Sequence, residues 1–487
     1  MFHAARSDVC QLILSTSHTL TKLVIGTGDL LSSQGSTLPY GWNSCIFSLG
    51  QVLPSCPLLR TLILHGQYSG WEGFYPLGVS PVEIVDAYDD ADLSFYSLKQ
   101  GLQKHASLTH LELRQMFLPP HRMSQIATGV LKLPLTTLDF SGCFLPESQS
   151  CFLMVHSGTA CMSNWLHALL CGSARNIGQS NRSQLSRLDL SSVGMDSHGA
   201  LELASCMHSL HSLQSINVCN NVIHGEGAAR LATAVLTHMA VQEFCSIPVT
   251  RLKANDCFDL RLAGCGIGIT GALVLAELVR NNWSLHTLDL QRNELCGIWE
   301  TELPVPGLKH RVVRGQFDAS GMIALGEALK VNTTLRSVNL SSNSMFGISF
   351  QKNAWTTAAG SCLFRCTPTS EEDSCLAFLG LVQGIYSNVG LHKIFLDSNS
   401  LVYAYLTLPT ESESGLGKEA DKRAAKCILN LAVAVSQHNS SRPLRRGQLR
   451  HFSMKKMFQP NTGPKADKAM EILKRVCNTN HIDLLIE

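Results

Sequence analysis

One nine-residue pattern recurs along this chain and constrains its fold more than any other feature. Apolar residues stand at its first, fourth and sixth positions, and asparagine or cysteine is the ninth residue in six of eight clear copies. The eight copies begin at Leu108, Leu135, Leu185, Leu213, Cys257, Leu285, Leu335 and Leu391. Because the centre of each copy alternates apolar and polar residues, it predicts a half-buried strand. We expect a ninth-position asparagine to be buried and to bond backbone groups of the turn.

An apolar helical face follows the strand pattern at a fixed distance. In the copy that begins at Leu213, this face is formed by Ala228, Leu231, Ala232 and Val235, with the i, i+3, i+4, i+7 spacing of an α-helix. The repeating unit is about 28 residues long, and longer spacings contain insertions. A single strand–helix unit cannot cover its own apolar face, so neighbouring units must stack into a continuous core.

The strand pattern LxxLxLxxN/C and the helix that follows it, as in GIGITGALVLAELV from Gly266, resemble the ribonuclease-inhibitor-like class of leucine-rich repeats. The resemblance implies an α/β solenoid, a horseshoe with a parallel β-sheet on its concave face and helices on its convex face. That class also occurs in NOD-like receptors, Ran GTPase-activating proteins and some ciliary regulatory-complex subunits. We predict one solenoid over residues 1–487. Its clearest repeats span 95–402, its weaker repeats 1–94, and its basic terminal repeats or cap 418–487.

Several segments exceed the repeat length and are expected to form loop insertions. They are 66–90, 146–163, 239–255, 298–320, 350–374 and 403–421. Long excursions at repeat boundaries often carry binding specificity, and they are also tolerated as surface segments. Both interpretations remain open for each insertion.

Composition limits the functional classes that the chain can belong to. The formal net charge is +2, which gives no whole-chain argument for nucleic acid or membrane binding. The sequence shows no secretory signal and no apolar run of about 18 residues. We therefore predict a cytoplasmic protein without a membrane partner, with the cytoskeleton or cilium as possible locations. The 18 cysteines suit small buried positions and are expected to be reduced thiols.

The segment Gly266-Ile-Gly268-Ile-Thr-Gly271 imitates a dinucleotide-binding motif, with Asp289 at the end of the next strand. The repeat accounts for the same residues, because sister units carry glycines at the same turn and Asp139 at the position of Asp289. No phosphate-binding loop, zinc motif or nucleophile elbow occurs in the sequence. We predict no catalytic, cofactor-binding or metal-binding residues, and hence a protein that is not an enzyme.

The polar strand positions, which should face the concave wall, are the candidate binding surface. The candidate partner-binding residues are Glu112, Asp139, Arg187, Asp189, Asn217, Asp259, Arg261, Asp289, Asn339, Lys393 and Phe395. This mildly acidic stripe could receive a basic protein. Aspartate is also common at these positions for structural reasons, and the sequence leaves that alternative open.

The carboxyl-terminal region is basic, with 14 Lys or Arg and 4 Asp or Glu between Lys418 and Arg475. The segment 442–456 could bind RNA or an acidic surface, or it could be the solvated face of a terminal repeat.

We predict a non-enzymatic protein–protein interaction scaffold that uses the concave face and the insertions. One alternative is a GTPase activator similar to the Ran GTPase-activating family, with a small GTPase as its partner. Another is a structural subunit of a ciliary, axonemal or ribonucleoprotein assembly.

Overall fold

The computed structural model describes residues 11–26, 40–66, 81–116, 118, 120–130, 132–143, 166, 169–170, 184–302, 311–350, 373–399, 402–404, 413–440, 449–456 and 464–486. The chain divides into two compact units. The first unit comprises Met1–Asn221 and Thr237–Val241, and the second comprises Val222–Leu236 and Gln242–Glu487. The prediction of one solenoid over the whole chain stays a prediction.

The first unit alternates strands and helices. Its strands are β1 (Lys22–Gly26), β2 (Thr61–His65), β3 (His110–Arg114), β4 (Thr137–Asp139), β5 (Arg187–Asp189) and β6 (Ser215–Asn217). Its helices are α1 (Tyr40–Val52), α2 (Pro81–Lys104), α3 (Pro120–Gly129) and α4 (Ser197–Met207). Each strand pairs in parallel with the next strand along the chain.

The second unit repeats this organisation. Its helices are α5 (Gly225–Thr237), α6 (Val249–Lys253), α7 (Gly268–Arg280), α8 (Ser320–Val331), α9 (Asp373–Ser387), α10 (Glu413–Ser440) and α11 (Pro464–Thr479). Its main parallel sheet contains β9 (Asp259–Arg261), β10 (Thr287–Asp289), β13 (Ser337–Asn339), β15 (Lys393–Phe395), β17 (His451–Ser453) and β18 (Asp483–Leu485). These six strands are adjacent in chain order, as stacked repeats require.

The strand pattern predicts both the position and the register of these strands. Pairing aligns the fourth position of each copy with the fourth position of the next, as in Leu260, Leu288 and Val338. These side chains are buried, as are the helical positions Leu275 and Leu325. The core of each repeat therefore lies between its strand and its helix, and the leucine-rich strand–helix repeat is confirmed for the described part of the chain.

Helices α8 and α9 approach each other closely at a glycine contact. A Cβ atom on Gly326 would lie 2.2 Å from the Gly380 carbonyl oxygen, and one on Gly384 would lie 2.5 Å from the Gly326 oxygen. Both distances are shorter than any real Cβ contact. Gly326 stands where other repeats have alanine, so this position sets the distance between the two helices.

The insertions contain more regular structure than the sequence predicts. Residues 298–320 include an antiparallel hairpin of β11 (Ile298–Glu302) and β12 (Arg311–Gly315). Residues 239–255 include a second hairpin, β7 (Glu243–Phe244) with β8 (Ile247–Pro248), followed by α6. Strands β14 (Ile348–Phe350) and β16 (Val402–Ala404) pair in parallel outside the main sheet.

Two predicted insertions end earlier than expected because a helix begins inside them. Helix α2 begins at Pro81 within 66–90, and α10 begins at Glu413 within 403–421. Proline is favoured at the first position of a helix, where its missing N–H costs nothing. The insertion 146–163 lies outside the described residues.

Candidate interaction surface

The structure brings the predicted surface residues together in two groups, one in each unit. In the first unit, Glu112, Asp139, Asp189 and Asn217 are direct neighbours on β3 to β6, with Arg187 in the adjacent column. In the second unit the neighbours on β9 to β15 are Arg261, Asp289, Asn339 and Phe395, with Asp259 and Lys393 in the adjacent column.

Two acidic candidates of the first unit, Glu112 and Asp139, pair with a neighbouring arginine. Arg114 places Nη2 3.0 Å from Glu112 Oε2 and 2.8 Å from Asp139 Oδ2, and its Nε also donates to Asp139 Oδ2 at 2.8 Å. His110 Nε2 lies 2.6 Å from Glu112 Oε1. Asp139 is only 2 % exposed. A buried carboxylate is costly unless it is paired and hydrogen-bonded, and Arg114 meets both needs.

Arg114 is not among the residues that the strand pattern predicts for the surface. It stands at the seventh position of its copy, whereas the predicted residues occupy the third and fifth positions. Alternate residues of a strand share a face, so Arg114, two residues after Glu112, is expected to lie on the same face and to pair with that carboxylate.

The fifth-position Asp and Asn residues also form the turn that follows each strand. One side-chain oxygen accepts the backbone N–H two residues later in five repeats. The five bonds are Asp139–Ser141 at 2.7 Å, Asp189–Ser191 at 2.9 Å, and Asn217–Cys219, Asp289–Gln291 and Asn339–Ser341 at 3.1 Å. This is the local turn chemistry of Asx residues, so part of the acidic stripe stabilises the turns.

Asp189 is fully occupied by such contacts. Its Oδ1 also accepts the Ser191 hydroxyl at 2.6 Å, and its Oδ2 accepts Asn217 Nδ2 at 3.0 Å. Its side chain is buried. Arg187, two residues earlier, is exposed and is the charged candidate of the first unit that faces solvent.

In the second unit the candidate charges are accessible. Asp259, Arg261 and Lys393 are exposed, and Phe395 is half-buried. The Phe395 ring lies 5.2 Å from the ring of His451 on the next strand, measured between centroids. His451 Nδ1 lies 2.9 Å from Asp483 Oδ2. This group therefore offers charges of both signs beside an aromatic pair.

The ninth-position asparagines, here called the turn asparagines (Asn221, Asn293, Asn343 and Asn399), make the backbone contacts that the pattern predicts, and all are buried except Asn221, which is half-buried. Each donates Nδ2 to the carbonyl of the sixth-position residue in the preceding repeat, at 2.7, 2.6, 2.9 and 2.8 Å respectively. Cys143 makes the same contact through its thiol, with 2.7 Å from Sγ to the Leu113 oxygen. Burial raises the pKa of the Cys143 thiol.

A second set of buried asparagines was not recognised from the sequence. These pre-strand asparagines, Asn282, Asn332 and Asn388, stand three residues before the first leucine of the next strand pattern. Each donates Nδ2 to a carbonyl of the preceding repeat at 2.9, 2.9 and 2.7 Å, and each accepts two backbone N–H groups of its own turn. The recurrent spacing N-x-x-L was the signal that could have revealed them.

The motif at Gly266–Gly271 has a backbone role. Gly266 and Gly268 adopt φ of +65° and +62°, a conformation that favours glycine. The Gly268 N–H donates to the Asn293 carbonyl at 2.9 Å, and α7 begins there. The glycines thus shape the turn between β9 and α7. Among the described residues, no cluster of His, Cys, Asp and Glu could hold a metal ion, and no helix is long and apolar enough to cross a membrane.

No family model matches this chain, and no curated protein matches it either. Among solved structures, an internalin from Listeria monocytogenes aligns with 99 % of this chain and 92 % of its own, at 10 % identity and a TM-score of 0.26. A likeness of this size supports no functional argument. The class defined here is therefore that of leucine-rich strand–helix repeats, and it rests on the strand register and the asparagine contacts of the chain itself.

Proposed function

We propose that this chain is a non-enzymatic scaffold of the ribonuclease-inhibitor-like repeat class, and that it binds a protein partner through the strand face of its second unit. The observation that supports this most directly is the exposure of Asp259 and Arg261 on β9 and of Lys393 on β15, strands of one parallel sheet with β10 and β13 between them. Repeats of this kind present an extended surface, and protein recognition needs area and complementary charge more than reactive groups.

The first unit contributes differently to this proposal. Glu112, Asp139 and Asp189 are buried and bonded, so reversing their charges would damage the fold rather than test binding. The informative substitutions are those at exposed positions. We further propose that the surface extends into the insertions, including the β11–β12 hairpin.

The cysteines support a reducing compartment such as the cytoplasm. No disulfide joins cysteines within the described part of the chain, and most of these thiols are buried among apolar side chains. Burial raises the pKa of the Cys477 thiol to about 11, so it is protonated and unreactive at neutral pH.

The test combines proximity labelling with reconstitution from purified components. Candidate partners found by labelling are measured for binding to the wild-type chain and to the triple variant Asp259→Lys, Arg261→Glu, Lys393→Glu. The matched control is the pair Lys426→Glu and Lys468→Glu, which lie exposed on α10 and α11.

We expect the triple variant to weaken at least one partner about tenfold or more, and the control pair to leave binding unchanged. If every partner that binds wild type binds the triple variant equally well, the strand face is not the binding surface and the proposal fails.

A further inference from the structure

A row of cationic and aromatic residues crosses the second unit at the starts of its strands. This edge row consists of Phe258, His286, Arg336, His392 and Arg450. The backbone N–H of each member donates to the carbonyl of the one before it, at 2.8, 2.8, 2.8 and 2.9 Å along the row. Its members therefore stand on consecutive strands, about 4.8 Å apart.

The repeat itself does not require such residues at this position. Three consecutive repeats of the first unit hold Thr109, Thr136 and Ser186 at the same position, between Arg60 and Gln214. Their hydroxyls donate to the carbonyl of the preceding repeat at 3.3, 3.1 and 3.0 Å. A short hydroxyl side chain therefore satisfies the fold at this position, whereas five successive repeats of the second unit carry a large charged or aromatic side chain there.

The edge row is accessible and carries positive charge. Arg336 and Arg450 are exposed, and neither pairs with a carboxylate among the described residues. Burial, together with these two guanidinium groups, lowers the pKa of His392 between them, whose bond to the Gly390 carbonyl acts in the opposite direction. Lys393 follows His392 and is exposed, while Asp256 and Asp259 are exposed acidic residues on either side of Phe258 in the chain.

Exposed aromatic rings accompany these cations. The Phe258 side chain is 61 % exposed and stacks on His286, with 6.2 Å between ring centroids and 29° between ring planes. Trp283 is 69 % exposed, and its backbone N–H donates to Asn255 Oδ1 at 2.9 Å, close to Phe258 in the chain. Large aromatic side chains are costly to leave in water. The exposure of Phe258 in the same row as Arg336 and Arg450 therefore indicates a ligand that has both negative charge and flat rings.

We propose that the edge row binds single-stranded RNA, with phosphates on Arg336 and Arg450 and a base stacked on Phe258. Cations that follow the backbone and aromatic rings that stack with bases are the combination by which proteins hold single strands. An acidic peptide would use the cations and would leave the exposed aromatic faces unused. Thr287 and Ser337, half-buried beside the row, offer hydroxyls to a ribose 2′-OH.

The test measures fluorescence anisotropy of labelled oligo-uridine and oligo-adenosine dodecamers with the full-length chain, at about 50 and about 200 mM salt. The variants are the double Arg336→Thr/Arg450→Thr and the single Phe258→Thr, which introduce the residue type that the first unit uses here. Arg60→Thr is the matched control, because Arg60 is an exposed arginine at the same repeat position in the first unit.

The double variant is expected to weaken binding at least about tenfold at low salt and to reduce the salt slope by about 1.4, since each phosphate contact contributes about 0.7 on single strands. Phe258→Thr is expected to weaken binding about fivefold or more with the salt slope unchanged. Arg60→Thr should match wild type. Unchanged circular dichroism and melting temperature show that each variant folds.

Three results would overturn the inference, and a fourth would refute its preference for RNA over DNA. The first is an absence of saturable RNA binding by the wild-type chain. The second is an Arg60→Thr effect as large as that of the double variant, which would mean nonspecific attraction. The third is that an oligo-glutamate of matched charge binds as tightly as oligo-uridine and that Phe258→Thr changes neither affinity. This result would mean that the partner is an acidic protein. Oligo-thymidine bound as tightly as oligo-uridine would refute recognition of the 2′-OH.

Discussion

Buried asparagines join neighbouring repeats of the second unit at both ends of their strands. The turn asparagines act after the strand, and the pre-strand asparagines act before it. Asn332 illustrates the second set: Nδ2 reaches the Val279 and Asn282 oxygens at 2.9 and 2.8 Å, and Oδ1 accepts from Thr334 and Leu335 at 3.0 and 2.9 Å. A single side chain thus contacts four backbone groups: the N–H groups of Thr334 and Leu335 bond only to it within the described residues, whereas the Val279 and Asn282 oxygens also accept from Asn282 N–H and the Thr334 hydroxyl, both at 3.1 Å.

Removing this side chain should be strongly destabilising. Asn332→Ala leaves the N–H groups of Thr334 and Leu335 unpaired. Each buried unsatisfied group costs about 1–3 kcal/mol, so we expect a loss of about 2 kcal/mol or more in the free energy of unfolding. Asn339→Ala is the control, since within the described residues the half-buried side chain of Asn339 bonds just Ser341 N and Gln291 Oε1, the latter at 3.5 Å. It should cost about 1 kcal/mol. Urea unfolding of both variants measures the difference, and equal losses would contradict this account.

His105 occupies the pre-strand position of the first unit, three residues before Leu108, and it introduces a dependence on pH. Its Nε2 lies 3.0 Å from the Cys56 oxygen, its Nδ1 has no partner within the described part of the chain, and its side chain is 6 % exposed. Burial lowers its pKa below the ordinary 6.5, against the opposing effect of the Cys56 bond. As the pH falls through about 6.5, the unfolded chain takes up a proton that the folded chain resists. The free energy of unfolding therefore decreases as the pH falls, and it stops decreasing once the pH is below the pKa of His105 in the folded chain.

We expect His105→Asn to remove this dependence, because asparagine suits the same position in the second unit and does not titrate. Unfolding free energies at about pH 7.5 and about pH 5.5 should differ less in the variant than in wild type. His211→Asn, at an exposed histidine of the same unit, is the control and should leave the difference unchanged. A larger difference in His105→Asn than in wild type would refute the assignment.

At the scale of elements, the glycine contact between α8 and α9 opposes helix propensity. Glycine-to-alanine changes inside a helix normally stabilise by up to about 1 kcal/mol. At Gly326 the added Cβ would lie 2.2 Å from the Gly380 oxygen, so the two helices would have to separate.

We expect Gly326→Ala to destabilise the chain by about 1–3 kcal/mol, the usual cost of overpacking. Thermal unfolding measures the sign of this change in stability. A stabilised variant would mean that the two helices are farther apart than described, and would contradict the prediction. Gly101→Ala tests the same geometry in the first unit, where the added Cβ would lie 2.3 Å from the Gly50 oxygen.

The sequence predicts the elements well where they repeat and poorly where they do not. Strand register follows from the leucine positions, because shifting a strand by one residue would expose its apolar side chains. The repeat pattern does not predict the β11–β12 hairpin or the early starts of α2 and α10, because each of these features occurs only once. Arg114 and the pre-strand asparagines were missed because their significance lies in neighbouring repeats, which no single copy of the pattern reveals.

At the scale of the whole molecule, each unit has its own parallel strands and its own core. Stability in stacked repeats is roughly a sum of nearest-neighbour terms, so damage should remain near its origin. Hydrogen–deuterium exchange of Asn332→Ala should therefore show lost protection in β10, β13 and β15, while β2 to β4 of the first unit keep theirs. Uniform loss of protection over both units would show that the whole chain unfolds as one cooperative body.

The pre-strand asparagines also carry a consequence for biosynthesis. Asn282 and Asn332 each begin an acceptor triplet for N-glycosylation, Asn-Trp-Ser and Asn-Thr-Thr. In the folded unit both amides are hidden and already bonded, so a transferase could reach them only on a nascent chain. A glycan added at that moment would leave no room for the repeat contacts that the same amides make. If the chain were synthesised in a glycosylating compartment, glycan transfer to these two amides would compete kinetically with folding.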